Sequence, residues 1–183
     1  MSLSPPAART HIHTRQVICQ GYRRDDGLWD IEGMVLDTKT YDCRPRAGYD
    51  AIPAGHPVHR MRIRVTIDDT LVIRQAEAIT EDAPFPPCGE IAPSFASLVG
   101  LSLGDGFQRE LRRRFGGTNG CTHLVELMGP IATTAFQTLY PILSHEQGES
   151  ERPKVIDSCH ALAADGPVVA RAWPQFARPD HRT

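Results

Sequence analysis

The sequence predicts an α+β domain, an antiparallel sheet of about five strands covered on one face by about three helices. Two observations carry that expectation. In the first half of the chain apolar and polar residues alternate with period 2, interrupted by turns rich in Asp and Gly. In the second half the apolar residues fall three and four apart, the spacing of helices that bury one stripe. A single domain is expected over 1–183, with an extended arm at 1–14, the sheet at 15–80, a helical layer at 88–144 and C-terminal strands at 154–173.

"RQVICQGYRRDDGLWDIEGMVLD" reads as two strands joined at Asp25-Asp26-Gly27, residue types that enter tight turns at low cost. In the second of these strands Trp29, Ile31 and Val35 share one face while Asp30 and Glu32 share the other. The Gly- and Pro-rich "CRPRAGYDAIPAGHP" is a long loop. In "VHRMRIRVTI", Met61, Ile63, Val65 and Ile67 alternate with Arg60, Arg62, Arg64 and Thr66. That is a half-buried antiparallel strand with its arginines toward solvent. Asp68-Asp69 turns the chain into "TLVIRQAEAIT", a further strand.

The helices follow. Phe95, Leu98 and Val99 fit a short one ended by Gly100. Phe107, Leu111 and Phe115 recur every four residues, with Asp105 as N-cap and Arg112, Arg113 and Arg114 complementing the dipole in the last turn. Leu124, Leu127, Ile131, Ala135 and Leu139 trace one face of a longer helix, with a kink expected at Pro130. "VIDSCHALAADGPVVARAW" reads as a last pair of short strands around Asp165-Gly166.

Composition narrows the function classes. With 183 residues, 40% hydrophobic and 23% charged, the chain can bury one sizeable core. A net charge of −2 lacks the basic excess of a general nucleic-acid binder. No apolar run approaches the roughly 20 residues of a membrane span, and "MSLSPPAART" lacks a signal-peptide pattern. A cytoplasmic protein acting on a small molecule is therefore expected, with no nucleic-acid or membrane partner and with homodimerisation left open. Five cysteines and no CxxC pair argue for reduced thiols, and any metal site must draw on distant segments.

Some residue types carry chemistry by position. Cys121 follows Gly120 where the long helix begins, and the helix dipole there favours the thiolate. His123, two residues on, reaches the same volume; the plain alternative is a packing cysteine beside a capping histidine. His59 shares a strand face with Met61 and points inward, as a hydrogen-bonded core residue or as a ligand. Cys88 sits in the Pro-bounded turn "FPPCGEI". Glu32 and Asp37 follow Trp29 and are candidate acid–base groups, or else outward carboxylates. His13 and Arg15 share a strand face and would grip an anionic or phenolic substrate, with Tyr22 and Trp29 as further substrate contacts.

"HIHTR", "GYRRDDGLWDIEGMVLDTKTY", "GHPVHRMRIRVTID", "LVGLSLGDGF", "GGTNGCTHLVEL" and "IDSCHAL" together identify the chain as a member of an uncharacterised bacterial family, domain of unknown function 2889. More distantly, the order of a strand after Gly-x-Pro, a turn cysteine, a "VGLSL" lead-in and a helix-starting cysteine resembles the NifU-like and SufE-like iron–sulfur scaffold fold. That resemblance implies that His59, Cys88 and Cys121 converge, His59 standing where the scaffold has a cysteine. With His123 as a fourth ligand, such a set suits zinc or iron in a tetrahedral geometry. The expected function is a small-molecule catabolic enzyme, a lyase or hydrolase, built on a Cys/His centre. The alternatives are an iron–sulfur cluster or persulfide carrier and a non-catalytic binding module.

Overall fold

A computed structural model describes residues 3–45, 49–146 and 151–179. Four strands, β1 (His13–Arg23), β2 (Trp29–Lys39), β3 (Pro57–Ile67) and β4 (Ile73–Asp82), form an antiparallel meander in the order β1-β2-β3-β4. The period-2 patterns dictate its faces, because neighbouring antiparallel residues share a side. Met61, Ile63, Val65 and Ile67 are buried, and Arg62 and Arg64 are exposed on the other side, as the alternation requires. The outer face is tied by charge pairs such as Arg64 to Glu32 and Glu77, and Arg62 to Glu81.

Helical segments follow the sheet: α1 (Pro87–Glu90), a 3-10 turn (Ala92–Leu98), α2 (Phe107–Phe115) and α3 (Thr122–Glu146). The cap of α2 is Gly106, in the left-handed region at φ 82°, in place of Asp105. The helix α3 opens where the Cys121 carbonyl accepts the Val125 N–H at 2.9 Å. It continues through Pro130 for 25 residues. The bond lost at one proline is outweighed by burial of Leu127, Met128 and Ile131 around it. Its buried stripe lies directly on β1 and β2, and two strand glycines make room. A Cβ at Gly33 would stand 2.7 Å from Ile131, and one at Gly21 would overlap the Thr138 side chain. No helix among the described residues is long and apolar enough to cross a membrane.

The chain divides into two compact units, Met1–Leu139 and Tyr140–Thr183. The second packs Ile156, Ala164 and Val169 against Trp173, Phe176 and Ala177. The strands expected at 154–173 are absent: this stretch forms turns, a 3-10 helix (His160–Leu162) and α4 (Pro167–Ala172). Pro167 favours a first helical turn and cannot donate to a ladder. Asp157 folds the segment onto itself by accepting the Ala164 N–H at 2.9 Å and pairing with Arg152 and Arg178. The sheet therefore has four strands, one fewer than the pattern suggested.

Candidate metal centre

On the inner face of the sheet, Arg15, Asp37 and His59 occupy one cross-strand row, beside the apolar row Val17, Val35 and Met61. The register shifts between Asp37 and Thr38, a local irregularity of the kind that re-aims side chains at strand ends. Asp37 has the same strand parity as Trp29, Ile31 and Val35, so the pleat turns it inward, and it is 2% exposed. A carboxylate can be buried so only with strong partners. Arg15 supplies a bidentate one: Nε donates to Oδ1 and Nη2 to Oδ2, each at 2.9 Å. His13 Nε2 donates to Oδ1 at 2.9 Å, since an ionised carboxylate only accepts. Burial pushes the Asp37 carboxyl up, but the hydrogen bonds from Arg15 and His13 outweigh it and hold the group at about 2. The remaining Arg15 nitrogen, Nη1, donates to Glu126 of α3 at 2.7 Å.

Two imidazoles face the other side of that carboxylate. His59 Nδ1 lies 3.2 Å from Asp37 Oδ2. That is ion-pair distance but not hydrogen-bond alignment, so this buried nitrogen has no hydrogen-bond partner. His123, delivered by the first turn of α3, brings Nε2 to 3.8 Å from the same oxygen. The two rings stack with centroids 3.8 Å apart and planes tilted by 31°. Burial, then the neighbouring His123, pulls His59 below the ordinary histidine range and favours the neutral imidazole. On Asp37, Oδ1 already takes two donors while Oδ2 takes one, which leaves a lone pair on Oδ2 toward the histidines.

Asp37, His59 and His123 can each offer a ligand atom, and those atoms lie within 4.8 Å of one another. A tetrahedral ion with bonds of 2.0–2.1 Å needs ligand atoms about 3.3 Å apart. The distances of 3.2 Å and 3.8 Å from Oδ2 bracket that edge. The Cys121 thiol lies 3.9 Å from His123 Nδ1 and 3.7 Å from Met61 Sδ. Burial would raise this thiol, but the hydrogen bond with His123 and the backbone N–H groups of Leu124 and His123 bring it below the ordinary range.

Of the four expected ligands, His59 and His123 fall in one ligand-bearing group with Asp37, and Cys121 lies beside it at 3.9 Å from His123 Nδ1. Neither Cys121 nor Cys88 belongs to that group among the described residues. Cys88 lies on α1, its carbonyl accepting from Thr80 Oγ1 at 3.4 Å. Glu32 is not beside Asp37: it has the opposite strand parity, faces outward and accepts from Arg64 Nε at 2.8 Å. His13 and Arg15 grip the protein's own Asp37, not a substrate. Trp29 is no substrate contact either: it is 2% exposed and donates its indole N–H to Asp69 at 2.8 Å. Its place on β2 is about 27 Å from Asp37 along the strand. Tyr22 is exposed, but pairs with Asp30 at that same far end of the sheet. Sequence reasoning passed over Glu126, although it stands three residues after His123 and so shares its helix face.

No curated protein and no solved structure matches the chain. The likeness to the iron–sulfur scaffold fold gains no support from these comparisons. A family model described as "Protein of unknown function (DUF2889)" matches residues 13–137, from the first residue of β1 into α3 and so across every residue of the centre; the chain belongs to that family.

Proposed function

We propose that the chain is a metal-dependent enzyme of the hydrolase or lyase class, acting on a small molecule, with the ion held by Asp37 Oδ2, His59 Nδ1 and His123 Nε2. One observation carries this reading: a buried imidazole nitrogen without a hydrogen-bond partner faces a carboxylate oxygen with a lone pair to spare. Buried polar atoms are rarely left so, and a bound ion is a direct explanation. Two imidazoles and one carboxylate suit zinc or iron(II) and leave coordination positions for water and substrate. Bound there, the ion would polarise a substrate carbonyl or acidify a water.

The chain's own groups serve that centre. Arg15 and His13 fix the carboxylate oxygens, the outer support that ligating carboxylates require. Burial favours neutral His59, the form that ligates. The Cys121 sulfur, 3.9 Å from His123 Nδ1, can accept its proton, the tautomer in which Nε2 would present its lone pair to the centre. His59 and His123 keep side-chain exposures of 16% and 23%, which leaves the centre reachable from solvent. Calorimetric titration of chelator-treated protein with zinc and with iron(II) tests the reading. One equivalent should bind, His59→Ala should weaken binding by more than about 100-fold, and Arg15→Met should weaken it about 10–100-fold. Absence of stoichiometric binding by either ion overturns it.

A second reading has its own support. Cys121, with a lowered thiol and His123 at 3.9 Å, has the makings of a nucleophile and its base, with Asp37 behind the imidazole. Activity that survives a chelator but not Cys121→Ser would favour it. A brown, sulfide-containing protein would instead favour a cluster carrier.

A further inference from the structure

The two edges of the sheet, β1 and β4, are finished differently. Along β4 stand Arg74, Glu77, Glu81 and Asp82, and Ile73 exchanges backbone hydrogen bonds of 2.8 Å with Leu101 and Gly100. Charges and a covering segment of this kind are how sheets prevent further strand pairing. In β1, the stretch "QVICQGY" over 16–22 contains neither a charge nor a proline. Val17, Ile18 and Tyr22 are 45%, 48% and 44% exposed. All 11 residues of β1 pair with β2, so alternate N–H and C=O groups point away from the sheet. Among the described residues, no backbone hydrogen bond is made on that side of β1.

We propose that this edge is a self-association site, on which a second copy of the chain adds its own β1 antiparallel and joins the two sheets into one. Two-fold symmetry and charge select the register. The inner faces must stay on one side, so facing residue numbers must have an even sum. A sum of 38 would oppose Arg15 to Arg23 twice, and directly opposed like charges are destabilising. A sum of 36 opposes no two arginines and uses the whole strand: Ile18 faces Ile18, Val17 faces Cys19, and Arg15 faces Gly21 of the second copy.

Both surfaces beside the edge suit this occupant. On the outer face, Ile18, Met34, Arg62 and Ile79 form one cross-strand row along a groove of about 440 Å³. Two Ile18 side chains meeting at the axis carry this row from one copy to the other. On the inner face, Val17 and Cys19 border a groove of about 790 Å³ with Gly129, Pro130 and Thr133, room for the side chains of the added strand. This inference is independent of the metal centre.

Light scattering of the full chain at tens of micromolar should return twice the 20.2 kDa chain mass. Ile18→Lys, whose side chain projects to solvent from the outer face, should return 20.2 kDa with an unchanged circular dichroism spectrum. Gln75→Lys, the same change on the β4 edge, should leave the double mass intact. In a Cys19→Ser background, Ile18→Cys should cross-link to itself under mild oxidation and Thr14→Cys should not. A wild-type mass of 20.2 kDa, an Ile18→Lys protein of unchanged double mass, or cross-linking through Thr14→Cys in place of Ile18→Cys would each overturn the proposal.

Discussion

Replacing Arg15 with methionine keeps most of the side chain's apolar volume and removes both guanidinium hydrogen bonds from Asp37. The carboxyl is held at about 2 against an ordinary 3.8. At about 1.4 kcal/mol per pH unit, that difference contributes about 2 kcal/mol to stability at neutral pH. The folded-state value is the lower one, so this stability is present above about pH 4 and is lost as the pH falls toward 2. Without Arg15 the burial penalty is opposed only by the His13 hydrogen bond and the His59 charge, so the loss should reach about 3 kcal/mol, the scale for a buried charge deprived of its partner. Asp37→Asn added to Arg15→Met removes the stranded charge and should restore at least about 1 kcal/mol. Urea unfolding at pH 7 in a chelator measures both. A Trp173→Phe background leaves Trp29, buried in the first unit, as the fluorescent reporter, because Trp173 belongs to the second. A cost below about 1 kcal/mol for Arg15→Met, or a double variant less stable than the single, would refute the assigned role.

Other outcomes follow from neighbouring contacts. Glu126→Gln should cost less than about 1 kcal/mol in the same unfolding experiment, because its pair with Arg15 is at the rim with the glutamate 57% exposed. Gly33→Ala should cost about 1–3 kcal/mol, since the new methyl would meet Ile131 and Leu127, and a change within about 0.5 kcal/mol would mean that α3 packs more loosely on β2. Alkylation of Cys121, followed by peptide mass spectrometry, should show a pH midpoint below the ordinary 9.0 that rises in His123→Ala. A midpoint at or above 9.0 in the unaltered protein opposes the assigned contact.

The parts of this molecule legible in its sequence are those that burial on one side imposes. Met61, Ile63, Val65 and Ile67 had to alternate with their arginines because one face of β3 is covered and the other is not. That parity also turned His59 inward, and helix geometry put Cys121 and His123 at one end of α3. The same parity, applied to β2, puts Asp37 beside Trp29, Ile31 and Val35 and would have separated it from Glu32. What hides this is its carboxylate, which reads as an outward group until its partners are known. Those partners, Arg15 and His13, reach it through the pairing of β1 with β2, and no pattern within a single strand encodes that register. Cys88 was hard to place for a related reason: α1 has four residues, too few to show a periodicity that says where a side chain points. In 154–173 the valines suggested strands, whereas the Asp157 contacts and the placement of Pro167 at a helix start decided otherwise.

X-ray absorption at the metal edge of the zinc- or iron-loaded protein tests the central claim most directly, because it reads the ligand atoms themselves. The account predicts a first shell of nitrogen and oxygen at about 2.0–2.2 Å with outer-shell scattering from two imidazoles, and loss of one imidazole contribution in His59→Ala. A first shell dominated by sulfur at about 2.3 Å, or a shell unchanged by His59→Ala, would put the ion elsewhere and contradict the centre built on Asp37, His59 and His123.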